Sequence, residues 1–174
     1  YVNEVLNSNR LSYGPFSQRF EAEFAEEHGV QYACFVNSGT DALRIALSAM
    51  KEKFSWEDGA EVIVPAITFV ATANVVIQTR MTPVFVDVDS ESYNLDPSKI
   101  EGKITRKTKA IIPVHLMGLP CDMDPIRELS DRYQLKMLED SCETMFATYK
   151  GRKVGSLGHM GAFSTYTAHF LQTG

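Results

Sequence analysis

The feature that most constrains this chain is its alternation of short apolar runs with stretches of helical periodicity. Phe16, Phe20, Phe24 and Ala25 recur at helical spacing over residues 16–28, and Gly29 closes that helix. Residues 32–36 are a short apolar run, read as a buried strand. Ser38 opens a helix to about residue 53, with Ala42, Leu43, Ile45, Ala46, Leu47 and Met50 on its buried side. Strands follow at 61–64, 82–88, 110–114 and 136–139, and 161–164 leads into another. Between them the pattern predicts helices over 69–79, from Asp96-Pro97 and from Asp124-Pro125. Such alternation predicts an α/β fold: a mostly parallel sheet with helices on both faces. In such sheets ligands bind beyond the carboxyl ends of the strands, so the residues just after each strand matter most.

Composition narrows the classes. The 174 residues are 44% hydrophobic and 22% charged, as in an ordinary globular chain. A formal net charge of -5 disfavours non-specific binding to nucleic acid or to anionic membrane. Cys34, Cys121 and Cys142 show neither a disulfide framework nor the paired spacing of a zinc site, so no metal is expected and a reducing cytoplasm is the expected setting. No apolar run approaches the roughly 20 residues that span a bilayer, and the polar residues 1–10 carry no secretory pattern.

Several strand ends carry residues that could do chemistry. Asn37-Ser38-Gly39-Thr40-Asp41 lies between a predicted strand and a helix, where free backbone N–H groups and the dipole suit a phosphate. Ser38 as a simple helix cap is the commoner role of such a segment. Asp140 closes a strand, where a carboxylate can pair with a cationic ring nitrogen or merely cap a turn. Phe69 can stack on a flat ligand or pack in the core. Ser164 can add a phosphate contact, and His169 can shuttle protons near neutral pH. His115 reads as a structural residue at a strand end; His28 and His159 read as surface or loop residues.

Taken in order, Tyr13-Gly14-Pro15, Ser38-Gly39-Thr40-Asp41-Ala42-Leu43, Thr68-Phe69-Val70-Ala71-Thr72, Pro113-Val114-His115-Leu116-Met117-Gly118, Glu139-Asp140, the segment from Tyr149 to Gly158 and Phe163-Ser164 resemble the DegT/DnrJ/StrS sugar aminotransferase family. The resemblance spans nearly the whole chain. It implies the large domain of an aspartate-aminotransferase-like fold, binding pyridoxal 5'-phosphate or pyridoxamine 5'-phosphate. By position it makes Gly39, Thr40 and Ser164 phosphate binders, Phe69 the ring-stacking aromatic and Asp140 the partner of the ring nitrogen.

Two positions depart from most of the family. Glu143 stands where glutamine contacts the ring's phenolic oxygen, and His169 stands where a lysine bonds covalently to the cofactor. Imidazole forms no such bond. This pattern resembles the sugar 3-dehydratase branch, where pyridoxamine phosphate condenses with a 4-keto sugar and the histidine moves the proton that lets the 3-hydroxyl leave. The resemblance therefore implies catalytic His169 and Asp140, cofactor contacts from Gly39, Thr40, Phe69, Asp140, Glu143 and Ser164, and a nucleotide-linked 4-keto-6-deoxy sugar as substrate. Glutamate as amino donor, or a reductase, is the implied co-reactant. The alternatives are a family aminotransferase whose lysine was lost, and a non-enzymatic regulatory relative. Residues 1–174 then form the N-terminal portion of the cofactor-binding domain, with a last sheet strand and a small C-terminal domain outside them, in a cytoplasmic homodimer.

Overall fold

A computed structural model describes residues 1–166, and the chain divides into two units, Tyr1–Val36 and Asn37–Gly174. His169 lies outside the described residues.

The first unit holds α1 (Val2–Asn7) and α2 (Pro15–His28). Pro15 sits in the first turn of α2, where its missing N–H costs nothing, and Gly29 ends the helix at φ 63. α1 buries no residue, although Val2, Val5 and Leu6 recur at helical spacing along it. Two expectations fail here. Residues 32–36 form no strand. The Phe35 N–H donates to the Glu21 carboxylate at 2.7 Å rather than to a neighbouring strand, and Tyr32 is 80% exposed. An apolar run favours extended backbone but supplies no ladder partner. His28 is not a surface residue: it is buried and stacks on Phe24, one helical turn earlier, with ring centroids 4.2 Å apart.

The second unit runs α3 (Gly39–Lys53), β1 (Glu61–Pro65), α4 (Val70–Gln78), β2 (Thr82–Val86), β3 (Thr108–Ile111), α5 (Met123–Arg132), β4 (Lys136–Asp140), β5 (Thr148–Tyr149), β6 (Arg152–Lys153) and β7 (Met160–Ala162). Five of these strands pair in the order β2-β1-β3-β4-β7, all parallel. β2 stops at Val86, short of residue 88; Val88 instead makes an isolated antiparallel bridge to Leu95. β3 stops at Ile111, and Val114 bridges to Asp140 beyond it. The α5 cap is Asp122 rather than Asp124, which lies inside the first turn. Asp96 does cap a short helix at Pro97–Lys99, its carboxylate accepting from the Ser98 N–H at 2.9 Å.

Residues alternate between the two faces of the sheet, as the two-residue period of a strand requires. Val62, Val64, Ala110, Ile112, Leu138 and Ala162 pack with Leu43, Leu47 and Met50 of α3 and Val75 and Val76 of α4. Ile63, Ile111 and Met137 face the other way, with Met123, Ile126 and Leu129 of α5. Leu47 is fully buried, so Leu47→Ala is expected to cost about 2–5 kcal/mol. The two cores grip the sheet from both sides and fix where its carboxyl ends stand.

Candidate functional site

Three of those ends converge on one cluster. α3 begins at Gly39, and Ser38 caps it by accepting from the Asp41 N–H at 3.1 Å. Helix geometry leaves the Gly39 and Thr40 N–H groups without an intrahelical acceptor, at the positive end of the dipole. Asp41 adds a negative charge in this turn, but Arg44 holds it at 2.6 Å. Hydrogen bonds from Arg44 and then Asn37 keep the Asp41 carboxyl below its ordinary range.

Gly39 is where this turn meets the strands. A Cβ built on it would lie 2.9 Å from Cys142 Sγ, 2.9 Å from Ser164 Cβ and 3.3 Å from Ser164 Oγ. Only hydrogen fits there, so the helix start packs directly against Ser164 and Cys142. Ser164 Oγ accepts from the Tyr166 N–H at 3.1 Å.

Asp140 ends β4 and is 4% exposed. Its carboxylate accepts from Thr72 Oγ1 at 2.8 Å and from the Cys142 N–H at 3.2 Å. Burial pushes its pKa up, and the bonds from Cys142 and Thr72 pull it back only in part. Thr72 lies 2.9 Å from Thr68 Oγ1. Since the single Thr72 proton points at Asp140, Thr68 is the donor in that contact. Phe69, next to Thr68 and just before α4, is 64% exposed although aromatic. Cys142 therefore touches both halves of the cluster: its backbone reaches Asp140 and its sulfur lies against Gly39. Burial and then the Asp140 charge drive its thiol pKa far up, so it stays protonated and is no nucleophile. Glu143 points elsewhere along the same loop and accepts from the Met117 N–H at 3.2 Å.

Of the residues expected from sequence, Gly39 and Ser164 come together, and Asp140 joins them through Cys142. Thr40 lies in the same helical turn as Gly39, and Phe69 heads the helix that carries Thr72. Thr72 was missed as a partner of Asp140. No local signal gives that pairing, since Thr72 lies in the first turn of α4 and Asp140 ends β4, 68 residues on. Among the described residues, no group of three His, Cys, Asp or Glu could hold a metal ion.

The whole stretch 1–174 matches the DegT/DnrJ/EryC1/StrS aminotransferase family. The chain belongs to that family. It is 45% identical over 175 residues to GDP-perosamine synthase of Escherichia coli O157:H7, covering 100% of this chain and 47% of that protein. Its structure superposes on the aminotransferase from Psychrobacter cryohalolentis with TM-score 0.93 and 44% identity, over 99% of this chain and 43% of that one. It superposes on E. coli GDP-4-keto-6-deoxy-D-mannose-3-dehydratase with bound hydrated PLP with TM-score 0.92 and 32% identity, over 98% and 44% of the two chains. The chain thus spans about half the length of the relatives it matches. The fold class and the family inferred from the motifs hold.

Proposed function

We propose that this chain is the N-terminal portion of the cofactor-binding domain of an enzyme that uses pyridoxal or pyridoxamine phosphate on nucleotide-linked 4-keto-6-deoxy sugars, acting as a 3-dehydratase with His169 as its base. The observation that carries the reading is the convergence of Gly39, Ser164, Cys142 and Asp140 at the carboxyl ends of the sheet strands. The residues present fit the cofactor. The helix start with Gly39, Thr40 and Ser164 suits its phosphate. Asp140, buried and held by two donors, suits a cationic ring nitrogen, which would restore its ionised form. Exposed Phe69 suits the ring face. The bound cofactor supplies an electron sink for carbanion chemistry. His169 gives and takes a proton through an imidazole nitrogen without bonding covalently to the cofactor. Glu143 occupies the position where most of the family presents glutamine to the ring oxygen.

A family aminotransferase that has lost its lysine is the second reading. The higher identity to the Psychrobacter aminotransferase, 44% against 32% to the dehydratase, favours it. Incubating the natural protein with pyridoxamine phosphate, glutamate and a panel of nucleotide 4-keto-6-deoxy sugars separates the two, with mass spectrometry of the products. A 3-deoxy sugar is the expected result. A trapped sugar–cofactor adduct with no released 3-deoxy product supports the second reading, and no cofactor binding at all sinks both.

A further inference from the structure

Directly before Asp140 lies a second buried carboxylate that the proposed chemistry does not use. The side chains of Glu139 and His115 are both 0% exposed, with Glu139 Oε2 3.0 Å from His115 Nε2. Oε2 also accepts from the Gly155 N–H at 2.7 Å, and Oε1 accepts from the N–H groups of Leu157 at 2.6 Å and Gly158 at 2.5 Å. Four donors aimed at two oxygens are the pattern of an ionised carboxylate. His115 Nδ1 accepts from the Cys121 N–H at 3.0 Å, which leaves the proton on Nε2, donated to Glu139. The His115 backbone is tied as well. Its N–H donates to the Asp140 carbonyl at 3.0 Å, its own carbonyl accepts from Thr144 Oγ1 at 2.6 Å, and the Asp140 N–H donates to Pro113 O at 2.9 Å.

We propose that His115 and Glu139 are a positioning pair: a fixed-tautomer hydrogen bond that clamps β4 between the loop after β3 and the loop before β7, and so sets where the Asp140 carboxylate meets the cofactor ring. A buried charge with four backbone and ring donors is a costly arrangement for a purely structural role, since an apolar side chain would fill the same place. Its geometry is directional, and four of the bonds end on the carboxylate of the residue next to Asp140. The titratable neighbours of Asp140 are Cys142, His115 and Cys121, whose thiol pKa burial pushes up to about 12 and which so stays neutral. Cys142 stays neutral, and His115 as held here is neutral, so the carboxylate's placement governs how well it stabilises a protonated ring.

The inference rests on the reading of Asp140 as partner of the ring nitrogen. Its test is the pH titration of ring-nitrogen-labelled pyridoxamine phosphate bound to the natural protein, followed by NMR. Glu139→Gln turns an acceptor oxygen into a donor facing N–H groups. It is expected to lower the midpoint of ring deprotonation by about one pH unit, a tenfold change in the proton equilibrium. The His115 variants decide the matter if that protein does not fold. His115→Gln can still donate to Glu139 and is expected to keep the natural midpoint, whereas His115→Asn reaches only as far as Nδ1 and is expected to lower it. Ser130→Ala, which breaks a buried bond to Leu135 O at the other end of β4, serves as the destabilised control. An unchanged midpoint in cofactor-bound Glu139→Gln or His115→Asn, or an equal drop in Ser130→Ala, overturns the proposal. A midpoint unmoved in Asp140→Asn overturns the underlying reading instead.

Discussion

Thr72 and Asp140, 68 residues apart in sequence, are joined by a 2.8 Å hydrogen bond from a fully buried hydroxyl to a carboxylate only 4% exposed. The bond crosses from the first turn of α4 to the end of β4, so it ties a helix and a strand at the point where the site opens. Thr72→Val keeps the shape and deletes the donor. A charge-assisted bond is worth about 1.5–3 kcal/mol and a neutral one about 0.5–1.5 kcal/mol. The expected loss in unfolding free energy is therefore in the upper range at a pH where Asp140 is ionised and smaller at one where it is protonated, and burial moves that change above the ordinary carboxyl range. Denaturant unfolding at the two pH values measures it. A loss that is equal at both would mean that Asp140 does not change charge between them.

Asp140→Asn has the opposite effect on the cofactor-free protein. Burial raises the carboxyl's pKa in the folded chain above the ordinary value of 3.8. The folded chain then binds this proton more tightly than the unfolded one, so its contribution to stability is full below the ordinary value and is lost as pH rises through the folded-state value. Asparagine has no charge to bury, and the Thr68–Thr72 chain can reverse its donors to suit the amide. The variant is expected to melt at or above the wild-type temperature at neutral pH, with the advantage vanishing in strong acid, while its affinity for pyridoxamine phosphate falls. Scanning calorimetry across pH gives the first, and equilibrium dialysis the second. Lower stability at neutral pH would show that Asp140 is better solvated than its surroundings suggest.

The parts of this site that were legible in the sequence are local. Gly39 stands at a helix start behind a Ser38 cap and Asp140 at a strand end, and both signals lie within a few residues of themselves. The Glu139–His115 clamp was illegible because its donors come from residues 155–158 and from Cys121, which no spacing rule brings together. The β5–β6 hairpin escaped because each strand has two residues, too few for an alternating pattern; Lys150 and Gly151, at φ 50 and 81, make its turn. Residues 32–36 were misread for the complementary reason. Composition marks a segment as able to extend, and pairing depends on a partner elsewhere.

His169 is a working base in the first functional reading and only the place of a lost lysine in the second. A lysine there would leave the protein heavier after reaction with pyridoxal phosphate and borohydride; imidazole should leave the mass at this position unchanged. His169→Asn is expected to slow proton exchange at the reacting carbon by about 100-fold or more, the usual scale for loss of a general base, with cofactor affinity nearly intact. If affinity collapses while exchange survives, His169 binds the cofactor and another group moves the proton.

Gly39 tests the phosphate assignment. In an ordinary helix start alanine would be as good as glycine or better, by up to about 1 kcal/mol. Here the added methyl would sit 2.9 Å from both Cys142 Sγ and Ser164 Cβ. Relieving that contact must move Ser164, Cys142 or the first turn of α3, and such overpacking typically costs about 1–3 kcal/mol. If the cofactor phosphate lies against this turn, part of that cost appears as lost affinity, about tenfold for each 1.4 kcal/mol. Cys142→Ala removes one of the two obstructing atoms, so the double variant Gly39→Ala/Cys142→Ala should recover part of the affinity, more than the two single changes would give by simple addition. Ser164 still stands in the way, so recovery should be incomplete. Equilibrium dialysis with pyridoxamine phosphate reads all four proteins. Wild-type affinity in Gly39→Ala, in a folded protein, would place the phosphate away from this helix start and undo the assignment of Gly39, Thr40 and Ser164 together.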